Sequence, residues 1–116
     1  MKRPRPHVLA GSTYKVPTAD GTLYVTLNED EKGLAEVFIL LGKSGSLTNS
    51  LTEALGRLIS VALRSGVPRE ELGRQLRGIQ RGEQRWQDGR LIASVPDAVG
   101  ELLRDDTEEK GGEPST

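Results

Sequence analysis

The chain predicts an α+β domain: a three-stranded antiparallel meander followed by three helices packed on one face of the sheet. Two observations carry this. Residues 13–41 read as three strands, the second with a period of two, and from residue 47 the period becomes helical. The length of 116 residues suits a single domain. The expected division is a flexible basic arm over residues 1–7, the domain over 8–104 and a disordered acidic tail over 105–116.

The first two strands are predicted over residues 13–18 and 22–27, flanking Ala19-Asp20-Gly21. In that turn Gly21 can take positive φ and Asp20 can bond the backbone. Leu23, Val25 and Leu27 point one way and Tyr24 and Thr26 the other, as in a sheet with one buried face. Pro17 cannot donate to a ladder, which makes the first strand an edge. After a loop over residues 28–33, the run Glu36-Val37-Phe38-Ile39-Leu40-Leu41 is apolar enough to predict burial on both faces.

In the first helix Leu51, Leu55, Leu58 and Ala62, joined by Ala54, Ile59 and Leu63, form a stripe predicted to face the core. Ser50-Leu51-Thr52-Glu53 matches a capping box, and the helix ends near Gly66. Pro68 suits the first turn of a second helix, with Glu70 and Glu71 against the positive end of its dipole and Leu72, Leu76 and Ile79 on its buried side. Residues 80–92, rich in Arg, Gln and Gly, read as irregular. Ser94-Val95-Pro96-Asp97 opens a third helix with Val99, Leu102 and Leu103 facing inward. The tail DDTEEKGGEPST lacks large apolar side chains.

Composition narrows the chemistry. The formal charge of −1 gives no overall pull toward nucleic acid or membrane. There is no cysteine, which removes disulfides, thiolate metal sites and thiol nucleophiles together. The start MKRPRPH has no apolar segment after it and no run is long enough to span a bilayer, so a cytoplasmic protein is expected. The single histidine, His7, lies in the terminal arm, where an exposed side chain is the simple reading. Glu70-Glu71 and Asp105-Asp106 are consecutive and do not face one another across a cleft.

Gly42-Lys43-Ser44 invites comparison with a phosphate-binding P-loop, G-x-x-x-x-G-K-[ST]. The first glycine of that motif falls on Val37, so the spacing fails. A looser anion site remains conceivable from Lys43, Ser44, Gly45 and Ser46 at a helix start, joined by Arg57; against it, Arg57 stands four residues after Glu53, the spacing of an ordinary helix ion pair. Arg74, Arg77, Arg81, Arg85 and Arg90, with Trp86 available for stacking, form a second candidate, a polyanion or partner surface. Its plain alternative is a loop anchored by Trp86 with solvated arginines.

Taken together, TYKV (13–16), GTLYVTLNEDE (21–31), EVFI (36–39), GKSG (42–45), EALGRLIS (53–60), ALRSGV (62–67), QLRGI (75–79) and PDA (96–98) resemble the TSCPD domain, over about residues 4–104. The resemblance implies a domain found near the C-terminus of adenosylcobalamin-dependent (class II) ribonucleotide reductases and also as small free-standing proteins. On this reading Gly42–Gly45 is the family's strand-to-helix turn. The signature Thr-Ser-Cys-Pro-Asp falls on Ala93-Ser94-Val95-Pro96-Asp97, and other cysteines of cysteine-bearing relatives fall on Asp20, Leu47 and Arg81. Four such thiols could form a zinc site. Here all four are replaced, so no metal is expected, and apolar packing is expected around Leu47 and Val95.

Ribonucleotide reduction needs a radical-bearing cysteine and a reducing cysteine pair, so the chain is not the catalyst by itself, although it could be part of a ribonucleoside-diphosphate reductase. Two readings follow. In one, the chain is a free-standing accessory or regulatory protein of a class II reductase, its partner being the catalytic chain, to which adenosylcobalamin would belong. In the other, it is an autonomous module for a nucleotide or nucleic acid, using the 42–46 turn and the 74–90 segment. Neither involves a membrane.

Overall fold

The computed structural model describes residues 2–42, 45–79, 85–87 and 90–104, with the backbone alone at residues 46, 85–87 and 90–92. Strands β1 (Ala10–Thr18), β2 (Gly21–Asp30) and β3 (Gly33–Leu41) form an antiparallel meander in the order β1-β2-β3. Helices α1 (Ser46–Arg64), α2 (Arg69–Leu76) and α3 (Val95–Leu102) follow, and the expected α+β class holds.

The alternation in β2 sets the sheet's two faces. Leu23 and Val25 are fully buried, Leu27 is nearly so, and Val37 and Leu41 join them across the register Leu27↔Val37 and Leu23↔Leu41. Val95, Ala98, Val99 and Leu103 complete this core with Ile59 and Leu63. Pro17 lies on the edge strand, paired with Thr22.

The burial expected on both faces of β3 is not found. Phe38 is 55% and Leu40 67% exposed, because they point to the face opposite the core, beside Tyr24. The loop expected over residues 28–33 is also shorter: β2 runs to Asp30 and β3 begins at Gly33. Gly33 takes φ 121°, and Asp30 Oδ1 accepts from the Lys32 amide at 2.8 Å, which together permit so tight a reversal.

The capping box at Ser50 is not used. The helix begins at Ser46 with Gly45 as its N-cap, which leaves Ser50 inside the first turns, while Thr52 donates to Thr48 O at 2.8 Å. At the other end Gly66 takes φ 102°, and the amides of Gly66 and Val67 donate to Leu63 O and Ala62 O, a Schellman closure.

The buried arc of α1 differs from the predicted stripe. Thr52, Gly56, Ile59 and Leu63 face inward with Leu55 half-buried, whereas Leu47, Leu51, Leu58 and Val61 are 71, 61, 69 and 44% exposed. The helix runs along the free edge of β3, so only a narrow arc meets the sheet. Gly56 marks the approach: a Cβ there would lie 3.3 Å from Val37 O.

Pro68 is the N-cap of α2 and not its first residue, and Glu70 and Glu71 occupy the first turn. Leu72 and Leu76 pack against the core, but Ile79 is 42% exposed. α2 meets α3 through glycine: a Cβ on Gly100 would come within 2.8 Å of Arg77 N. Arg69 closes the end of α3, donating from Nε and Nη2 to Leu103 O and Leu102 O at 3.0 and 3.1 Å. α3 starts where expected, and Ser94 caps it, its hydroxyl accepting from the Asp97 amide at 3.2 Å.

The segment read as irregular contains a small hairpin, β4 (Arg85–Gln87) with β5 (Arg90–Ile92), in the register Trp86↔Leu91. The sequence signal was the intervening Asp88-Gly89, a dipeptide favoured in two-residue hairpin turns. The tail over 105–116 lies outside the described residues.

Residues of the basic arm make specific contacts with the domain. The Arg3 amide donates to Arg64 O at 2.6 Å, and its guanidinium reaches Asp30 at 3.0 Å and Leu34 O at 3.3 Å. Arg5 grips Glu36 with two hydrogen bonds, at 2.9 and 3.1 Å.

Candidate functional site

A groove of about 940 Å³ lies where the open face of the sheet meets the flank of α1. Tyr24, Phe38 and Leu40 form its apolar floor; Asn49, Glu53, Arg57, Ser60, Val61 and Arg64 line the helix side. Its size is that of pockets that take ligands or peptide segments. The Thr13 and Thr26 hydroxyls, 2.8 Å apart, pair across the floor.

Charge is concentrated at one end. Glu36 is only 4% exposed, an acid between the buried Ala35 and Val37 of β3. Burial alone would raise its carboxyl, but hydrogen bonds from Arg5 and Asn28 and the charges of Arg5 and Arg64 outweigh that and hold it below the usual carboxylate range. The same pairing raises the Arg5 guanidinium. Arg64 adds a cation whose buried Nε has no hydrogen-bond partner among the described residues. The groove therefore combines exposed aromatic and aliphatic surface with an arginine still able to donate.

Of the residues expected to bind phosphate, Gly45 and Arg57 do not converge. Lys43 and Ser44 lie outside the described residues, and of Ser46 only the backbone is described. Gly45 is exposed at the start of α1, and Arg57 stands about three turns further along the same helix, roughly 18 Å of rise. One phosphate cannot touch both. Arg57 instead pairs with Glu53 at 2.6 Å, the ordinary helix pair foreseen as its alternative.

In the second candidate surface, Arg74 pairs with Glu71, which also accepts from Gln75 at 2.9 Å. Arg77 is half-buried, its stem packed where α2 crosses Gly100. Arg81 lies outside the described residues. The backbones of Arg85, Trp86 and Arg90 belong to the β4–β5 hairpin, and their side chains lie outside the description.

Sequence reasoning missed Arg5, Glu36, Arg64 and the floor residues. A signal for one of them was present: a glutamate at the head of an otherwise apolar run calls for a buried cationic partner.

A family model for the TSCPD domain matches residues 1–107. The chain belongs to the TSCPD domain family. This family is associated with ribonucleotide reductases. Comparison with curated proteins and with solved structures gives no match.

This TSCPD domain does not fit a thiolate zinc site. The Ala19 amide donates to Ala93 O at 3.0 Å, which ties the β1–β2 turn, next to Asp20, to the entry of α3, next to Val95. The fold thus brings two of the four relevant positions into one neighbourhood. Val95, however, is buried in the apolar core, and Leu47, expected to pack there too, is 71% exposed. With Asp20 and Arg81 as the remaining pair, the set holds one carboxylate and no soft or imidazole ligand. Among the described residues no helix of this TSCPD domain is long and apolar enough to cross a membrane.

Proposed function

We propose that this TSCPD protein is a free-standing accessory or regulatory component of a class II ribonucleotide reductase, docking on the adenosylcobalamin-dependent catalytic chain. The observation that carries this reading is the family match over residues 1–107. It is supported by chemistry: without a cysteine the chain can supply neither the thiyl radical nor the reducing pair of ribonucleotide reduction, so both belong to the catalytic partner together with the cobalamin.

The groove is the surface we assign to that partner. Phe38 and Leu40 are large, apolar and more than half exposed, and full burial of such side chains contributes about 1.5–3 kcal/mol each. Arg64 at the charged end would take a carboxylate or a backbone carbonyl of the docked segment. An apolar segment carrying one acidic or carbonyl anchor fits this arrangement.

The test is calorimetric titration of this protein into a class II catalytic chain from the same genome, with reductase activity followed in parallel. Binding in the micromolar range is expected, with Phe38→Asp weakening it at least tenfold. No heat and no change in activity with the catalytic chain would overturn the proposal.

A further inference from the structure

The outward side of α1 carries a second feature, which meets the groove only at Val61. Leu47, Leu51, Ala54, Leu58 and Val61 follow one another at alternating spacings of four and three, the a/d repeat of a helix that packs against another helix. All five are exposed, and all but Val61, which also lines the groove, lie on the arc turned away from both the core and the sheet. A solvent-facing arc of a surface helix is normally polar. Here it holds no ionisable side chain.

We propose that this stripe is a self-association surface, and that α1 of one copy packs against α1 of a second copy about a two-fold axis. Three observations favour a second copy as the occupant. A heptad stripe is complementary to itself: the leucines of one helix fill the spaces between those of its mate, and Ala54 at the centre leaves room for an opposing leucine.

Charge permits the encounter. The stripe is uncharged, the Glu53–Arg57 pair on its border is neutralised within each copy, and a formal charge of −1 gives two copies little mutual repulsion. An uncharged stripe also has nothing with which to select a foreign partner by charge.

The area is sufficient. The exposed parts of these side chains, with the helix surface that borders them, come to on the order of 500 Å² per copy, or roughly 1,000 Å² in a pair, the lower bound of a specific interface.

The inference does not rest on the reductase reading: of the stripe, only Val61 also lines the groove. Sedimentation equilibrium of the full chain between about 5 and 200 µM should show a monomer–dimer equilibrium in that range, as a minimal interface implies. Leu58→Glu should shift the dimer to monomer by at least tenfold in Kd, and Phe38→Asp, in the groove, should leave it unchanged. If Leu58→Glu fails to fold, a nitroxide on Ser50→Cys serves instead. With paired helices 8–10 Å apart, the label-to-label distance should be under about 30 Å. A chain that is monomeric at 200 µM, a dimer indifferent to Leu58→Glu, or labels further apart than this would each overturn the proposal.

Discussion

The hydroxyl of Ser60 on α1 closes the free edge of β3, accepting from the Val37 amide at 2.9 Å and donating to the Val37 carbonyl at 3.1 Å. Both backbone groups point away from β2, on the one side of the sheet edge where no strand can meet them. A single side chain thus satisfies a donor and an acceptor and fixes how closely the helix approaches. Ser60→Ala would leave both groups unpaired beneath α1, at a cost of about 1–3 kcal/mol. We expect the urea midpoint to fall accordingly and the Val37 amide to exchange faster with solvent. An unchanged midpoint and unchanged exchange would mean that packing, and not Ser60, holds the helix on the edge.

The ion pairs of the arm make stability depend on acid. The Glu36 carboxyl is lowered as described above, and Asp30 is lowered chiefly by its hydrogen bonds from Arg3. A carboxyl depressed in the folded state contributes stability that is fully present above its unfolded value, about 4, and is lost as pH falls through the folded value. Stability attributable to these groups should therefore be level from pH 7 to about 5 and decline below about pH 4. Glu36→Gln should lower stability at pH 7 and flatten the acid limb. The measurement is urea denaturation across this range, and an acid limb identical in wild type and variant would count against the assignment.

Glycine is required at some positions and not at others. Gly100→Ala would place a methyl group 2.8 Å from Arg77 N and 3.0 Å from the Leu76 Cβ, so α2 and α3 must separate, at a cost of about 1–3 kcal/mol. Gly45 has open space around its Cα and an extended backbone at φ −67°, which any residue can adopt. Gly45→Ser should therefore be neutral or stabilising by a few tenths of a kcal/mol, as a hydroxyl there can cap α1. Thermal melts of the two variants decide this: a silent Gly100→Ala would show that the helices yield at that crossing.

Where the sequence was legible, a local rule was enough. Alternation in Leu23–Leu27, the Asp20-Gly21 turn, Pro17 at an edge and the helix start at Ser94–Asp97 each depend on neighbours a few residues away, and each was read correctly. One error fell where two local signals competed. Ser50 carries a capping-box sequence, but Gly45 breaks the chain earlier, and the helix gains a turn of hydrogen bonds by starting at Ser46. The groove was not visible because its parts, Arg5, Tyr24, Phe38 and Arg64, are far apart in the chain and share no motif.

By itself the sequence determined an α+β domain of the TSCPD family that carries no thiol. Only the tertiary structure decided which of its apolar residues are covered. Periodicity shows that α1 and β3 are apolar over a wide arc or along both faces, but it carries no information about how much of that surface a neighbour reaches. Because α1 lies along the edge of β3 and not across the sheet, Ile59 and Leu63 are buried while Leu51 and Leu58 face outward. For the same reason Phe38 and Leu40 remain open. Burial is a property of the layer that arrives from elsewhere in the chain, and no local pattern encodes it.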